Sequence, residues 1–147
     1  MAEVDHAMLA AFACVEADGS LTVVGGHRAT FEVAGVPGQH VLCVAGRLLV
    51  ARREPPPTLG LAALTPLGEV PDVASWAVEV PRERVREGRL PVSFAATLVA
   101  PAPCPGAYAL VLSVNGDVVR TLPFTVVDTS VGDGAAGRAL TGGRAPG

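Results

Sequence analysis

Residues 105–114 and 117–127 are two β-rich runs on either side of Asn115-Gly116. An Asn-Gly pair between apolar residues is a strong local signal for an antiparallel hairpin, because both residues tolerate the positive φ of a tight turn. The signal dictates an antiparallel β domain and contains no group that performs chemistry. Two registers compete. A two-residue turn sets Tyr108, Leu110 and Leu112 opposite Pro123, Thr121 and Val119, a mixed face. A three-residue loop, Val114-Asn115-Gly116 with Gly116 left-handed, sets Tyr108 opposite Leu122 and Leu112 opposite Val118, with Phe124 and Val126 on that side. The apolar pattern favours the three-residue, bulged turn. Arg120, opposite Leu110, then interrupts the face, with its stem along apolar surface and its guanidinium reaching solvent or a partner. Pro123 lacks a ladder donor, which places this strand, or its Pro123 edge, at the outside of a sheet.

The chain has 147 residues, half of them apolar, enough for one domain with a substantial core. Its 17 glycines and 13 prolines argue for many short elements joined by turns. Read for alternation and turns, the sequence predicts eight or nine strands. They fall at about 7–15, 21–24, 28–33 (split from the previous one by Gly25-Gly26), 40–51, 58–64, 75–80 and 91–100, followed by the hairpin. The run 40–51 is apolar on both parities, with Val41, Cys43 and Ala45 alternating against Leu42 and Val44, so it is buried on both sides or covered by a neighbouring chain. Residues 81–89, led by Pro81 and bearing Arg82, Arg84, Arg86 and Arg89, read as a single solvated helical turn. The expected architecture is a single antiparallel β-sandwich over residues 1–127 and a disordered Gly/Ala-rich tail over 128–147.

Three stretches carry a resemblance. Residues 9–26 run from an apolar strand through Asp18-Gly19 to Leu21-Thr22-Val23-Val24-Gly25-Gly26; Leu90-Pro91-Val92-Ser93-Phe94 follows; and the third goes from Pro105-Gly106-Ala107-Tyr108 through Asn115-Gly116 to Leu122-Pro123-Phe124-Thr125-Val126. In this order the chain resembles a family of small uncharacterised bacterial all-β proteins, a domain of unknown function. The resemblance implies a fold and brings no catalytic residues with it. The Gly-x-Tyr start and Pro-Phe-x-Val finish also look like the last hairpin of immunoglobulin-like sandwiches.

Chemistry-bearing motifs are sparse. His40-x-x-Cys43 has a ligand-like spacing, with His27 and Cys104 as further donors, but the second close pair of a structural zinc site is missing. Cys14, Cys43 and Cys104 lie in or beside apolar runs and imply no disulfide framework. No Gly-x-Ser-x-Gly elbow, Walker pattern or dinucleotide fingerprint occurs. Trp76 shares a strand face with Val78 and Val80 and reads as core. The net charge of −3 is spread along the chain, so nucleic acid is not expected as a partner. The first apolar run is preceded by Glu3 and Asp5, and no run approaches the ~20 residues that span a bilayer. The expectation is a cytoplasmic, non-catalytic protein-binding or assembly module without cofactor or metal, partnered by another protein or by itself, through an edge marked by Arg120 and Pro123. The alternative is a small-molecule or carbohydrate binder using loops at one end of the sandwich, with His27, Arg28, Arg52 and Arg53 as its polar groups.

Overall fold

The computed structural model describes residues 2–51, 53–80 and 88–130. These form ten strands: β1 (Glu3–Ala10), β2 (Phe12–Val15), β3 (Leu21–Val24), β4 (Thr30–Val33), β5 (Gly38–Ala51), β6 (Thr58–Thr65), β7 (Gly68–Ala77), β8 (Arg89–Ala102), β9 (Gly106–Val114) and β10 (Asp117–Asp128). The all-β expectation holds, but the strands make three sheets where a single sandwich was expected. A three-stranded sheet runs β1-β5-β8, a five-stranded sheet runs β4-β10-β9-β6-β7, and β2 and β3 form a separate ribbon. The two larger sheets share one core, to which β5 gives Leu42, Val44, Leu48 and Val50, β8 gives Val92, Phe94 and Leu98, and β9 gives Tyr108, Leu110 and Leu112.

The two-sided apolar character of β5 has a cause within the chain. Its even-numbered residues face the main core, while Cys43 and Ala45 point the other way into a second cluster with Ala10 and Ala13. Leu21, Val23 and Ala95 close that cluster. The ribbon therefore covers the middle of the outer face of β5. It can do so because the strand predicted over 7–15 breaks at Ala11, whose N–H donates to the Val24 carbonyl (3.0 Å), and the chain passes from β1 into β2. At Gly46 β1 and β8 flank β5 closely, with Ala7 and Phe94 as register partners.

The final hairpin departs from the favoured register. Asn115 and Gly116 both take positive φ, 52° and 91°, and Val114 pairs with Asp117, so the turn has two residues. The bulge that the apolar pattern calls for lies in the strand instead, between Val118 and Arg120. Beyond it Leu122 pairs with Leu110 and Phe124 with Tyr108, and the inward face is apolar again. Nor is β10 an outer strand throughout, since β4 pairs with it in parallel over Thr125–Asp128. Pro123 lies just before that ladder begins, where its missing N–H costs no pairing.

Other segments also differ from expectation. β7 starts at Gly68 directly after the Pro66-Leu67 turn and includes Pro71, as an edge strand allows. Arg89, placed in a helical turn by the sequence, opens β8, and residues 81–87 of that turn lie outside the described residues. Of the tail expected over 128–147, Asp128 ends β10, while 131–147 lie outside the described residues, as does Arg52.

Gly46 gives a direct check on this packing. A Cβ there would collide with the His6 carbonyl oxygen and stand 2.9 Å from Ala7 Cα and 2.8 Å from the Phe94 ring. Backbone atoms of a paired strand cannot move aside as a side chain can, so Gly46→Ala is expected to destabilise the fold by about 3 kcal/mol or more. A urea-denaturation midpoint unchanged from the parent would contradict this packing.

Candidate functional site

A cleft of about 780 Å³ lies on the flank where the edges of the two large sheets come together. β7 is the outer strand of the five-stranded sheet and β8 that of the three-stranded sheet, and the gap between these edges forms two walls. The turn joining β2 to β3 supplies the third, so the ribbon that covers β5 also bounds the cleft.

The turn is held by its own backbone. Glu16 N–H donates to the Ser20 carbonyl (2.8 Å) and Gly19 N–H to the Glu16 carbonyl (2.9 Å), with Gly19 at a φ of 89°. The Asp18 carboxylate accepts from Ser20 N–H (2.9 Å) and Ser20 Oγ (2.6 Å). The Glu16 carboxylate accepts from Thr22 Oγ1 (2.5 Å) and from the Cys14 thiol (3.3 Å). These bonds, the Thr22 one foremost, hold the Glu16 carboxyl below its ordinary range and keep it ionised at neutral pH. The same carboxylate pushes the Cys14 thiol above its ordinary value, chiefly by accepting its proton in a hydrogen bond. Cys14 is therefore a poor nucleophile at neutral pH.

Trp76 forms the apolar wall. It is half-buried, packed against the main core and lining the cleft together with Val80 and Leu90. Glu79 joins Glu16 and Asp18 around the opening, and the described lining includes no Arg, Lys or His. An indole face beside carboxylates suits a ligand with a compact apolar body and a positive charge. The volume is in the range of small-molecule sites. Sequence reasoning missed this site because Trp76 fits a core pattern and Glu16-Ala17-Asp18-Gly19 reads as a turn. Their proximity depends on where the ribbon docks, which no local pattern encodes.

The sequence-predicted residues lie elsewhere. His27, at a φ of 57°, and Arg28 line a small pocket of about 160 Å³ with Met8, Leu122 and Pro123. The structure thus joins part of the expected ligand loop to part of the expected partner edge. Arg28 is already engaged, with Nε donating to the Thr30 carbonyl (3.0 Å) and its guanidinium carbon 5.1 Å from the centre of the Phe31 ring. Arg53 is exposed on the turn after β5 and does not line that pocket. Arg120 donates to the Val119 carbonyl (2.9 Å) and to the Val4 carbonyl of β1 (3.0 Å), so it ties the two large sheets together. His40 and Cys43, three apart on a strand, point to opposite faces and cannot share a ligand. Cys43 Sγ lies 3.4 Å from Thr97 Oγ1, and among the described residues no three metal-ligating side chains stand together. No described helix is long and apolar enough to cross a membrane.

Thr22→Val removes the leading hydrogen bond to Glu16. The Glu16 carboxyl is then expected to titrate at higher pH, measured by carboxyl-carbon NMR shifts, and an unmoved titration would refute this bond.

No family model matches the chain, and no curated protein matches it. Among solved structures it is similar to the Pseudomonas fluorescens alkylpurine DNA glycosylase AlkC bound to DNA containing an abasic site analogue, at 10% identity and a TM-score of 0.43. The match covers 85% of this chain and spans 30% of that one. Two expectations are corrected. The protein-binding or assembly module and the exclusion of nucleic acid as a partner are set aside; the similar structure is that of a DNA-bound protein. The apolar outer face of β5, which prompted the idea of a second chain, is in its middle covered by the protein's own ribbon.

Proposed function

We propose that this chain is a non-catalytic, immunoglobulin-like module that binds a small organic cation in the cleft beside Trp76. The observation that carries the reading is the coincidence of a half-buried indole with the carboxylates of Glu16 and Glu79 in one concavity. A cation over an indole face gains about 0.5–2 kcal/mol, more as water is excluded, and ionised carboxylates nearby add to the attraction. The acidic groups have no evident catalytic partner: Glu16 is engaged by Thr22 and Cys14, and the Cys14 thiol is held protonated.

The immunoglobulin-like part rests on topology and on one bond. The order β1-β5-β8 facing β10-β9-β6-β7 matches the strand sequence A-B-E against G-F-C-C′ of such domains, with β4 added at the β10 edge and β2 and β3 as a separate ribbon. The Tyr108 hydroxyl donates to the Cys104 carbonyl four residues upstream (2.6 Å), the pattern of the tyrosine corner that ties the first strand of the final hairpin to its preceding loop. The resemblance to small bacterial all-β proteins agrees with this reading. So does a cytoplasmic location, supported by three unpaired cysteine thiols.

Trp76 is the sole tryptophan, so intrinsic fluorescence reports the cleft directly. Choline is expected to give a saturable change that its uncharged isostere 3,3-dimethylbutanol does not. Glu79→Gln is expected to weaken choline by roughly tenfold, a loss of ~1.4 kcal/mol. Equal responses to both compounds, or none to either, would remove the reading.

A further inference from the structure

The strongest unexplained group lies at the far side of the core from β7, on the inward face of β5. His40 is 5% exposed, and among the described residues neither Nδ1 nor Nε2 has a hydrogen-bond partner. Its ring sits among Phe124 (5.5 Å between centroids), Phe31 (5.8 Å) and Tyr108 (6.2 Å). A phenylalanine would fill this box at no polar cost, whereas a buried imidazole without partners costs free energy and a buried imidazolium far more.

We propose that His40 is an acid-sensitive latch on β4: when its imidazole takes a proton it leaves the aromatic box, Phe31 lifts with it, and β4 detaches from the edge of β10. This goes beyond the cleft reading and does not depend on it. β4 is the element with least to hold it. It is four residues long, outermost in its sheet, and pairs with β10 alone. Its anchors are the inward Phe31 and Val33, the Thr125 N–H bond to the Ala29 carbonyl (2.9 Å), and the Thr129 hydroxyl on the Val33 carbonyl (3.1 Å). Phe31 bridges the box, edge-on to Phe124 at 5.3 Å and tilted against His40. The part of β5 that carries His40 is fixed to β8, with Ala100 opposite, so the yielding side is β4.

The groups around the box offer the imidazolium no counter-charge. From β4, Glu32 is on the exposed face, and the Arg28 guanidinium over Phe31 adds a like charge. From β9, the Tyr108 hydroxyl is committed to the Cys104 carbonyl. From β10, the Asp128 carboxylate accepts from Gly35 N–H (3.1 Å) and from Ser130 N–H and Oγ. β8 contributes Ala100. Burial accordingly holds the His40 imidazole below its ordinary value. The unfolded or opened chain therefore binds the proton first. The latch is closed above the ordinary histidine range, near pH 6.5, and loosens as pH falls below it.

Amide hydrogen exchange at pH 7.5 and 5.0, corrected for intrinsic exchange chemistry, tests this on the full chain. The expected result is that opening of the Phe31 and Val33 amides grows by up to about tenfold per pH unit below 6.5 while β6 and β9 amides hold. His40→Phe is expected to abolish that dependence. Should the variant fail to fold, the wild-type ring carbons decide: the His40 imidazole should titrate below the ordinary histidine range, near 6.5, in step with loss of β4 protection. Acid opening that persists in His40→Phe, opening shared equally by β6 and β9, or a His40 titration at or above the ordinary histidine value would each overturn the latch.

Discussion

Burial of β5 on both faces is the constraint from which the rest of the architecture follows. A central strand whose inward side chains are Leu and Val and whose outward ones are Cys43 and Ala45 needs a second cover. The chain provides it by diverting β1 at Ala11 into a ribbon that lays Ala13, Leu21 and Val23 over Cys43 and Ala45. The fully buried members, Ala10, Ala13, Cys43 and Ala45, are small and give little area each, so at its centre the cluster works through close approach more than bulk. The cleft is a consequence of the same docking, since the ribbon's far turn ends beside the β7 and β8 edges.

The two flanks of the body are finished differently. On the β1 and β10 side, Arg120 reaches the Val4 carbonyl, and ion pairs from Arg47 to Asp5 and from Arg89 to Glu3 brace β1 against β5 and β8. These pairs are exposed and contribute little stability one by one. Their effect is on geometry, fixing the first strand at the margin of its sheet. The β7 and β8 side has no comparable tie among the described residues, and the edges stay far enough apart to leave the cleft open.

Much of this was legible in the residues. Asn115-Gly116 identified the hairpin, the 40–51 run announced a doubly buried strand, and alternation located most elements. What was not legible is relational. No local pattern states that β2 leaves β1 to cover Cys43, so a covered face read as a sticky one. Trp76 was assigned to the core, and it does pack there, but its other face meets a turn about sixty residues earlier in the chain. His40 was read only as a ligand-spaced partner of Cys43, because the rings that enclose it come from three other strands.

The hairpin shows how a correct premise gave a wrong register. The apolar pattern demanded one extra residue between Tyr108 and Phe124, and turn chemistry offered a place for it at Gly116. The structure instead spends that residue at Val119, leaving the Asn-Gly turn in its tightest form. Asn115 then faces β6, accepting from Thr58 N–H (3.0 Å) and donating its own N–H to the Thr58 carbonyl (2.8 Å), bonds that a three-residue loop would have displaced. Moving the bulge along the strand also changes what Arg120 can touch. It pairs with Leu112 on the inward face, and its stem crosses the apolar margin to place the guanidinium on the Val4 carbonyl. The residue that marked an edge open to a partner is thus the one that closes that edge, because a bulge in the strand costs one ladder pair and gains a tie between sheets.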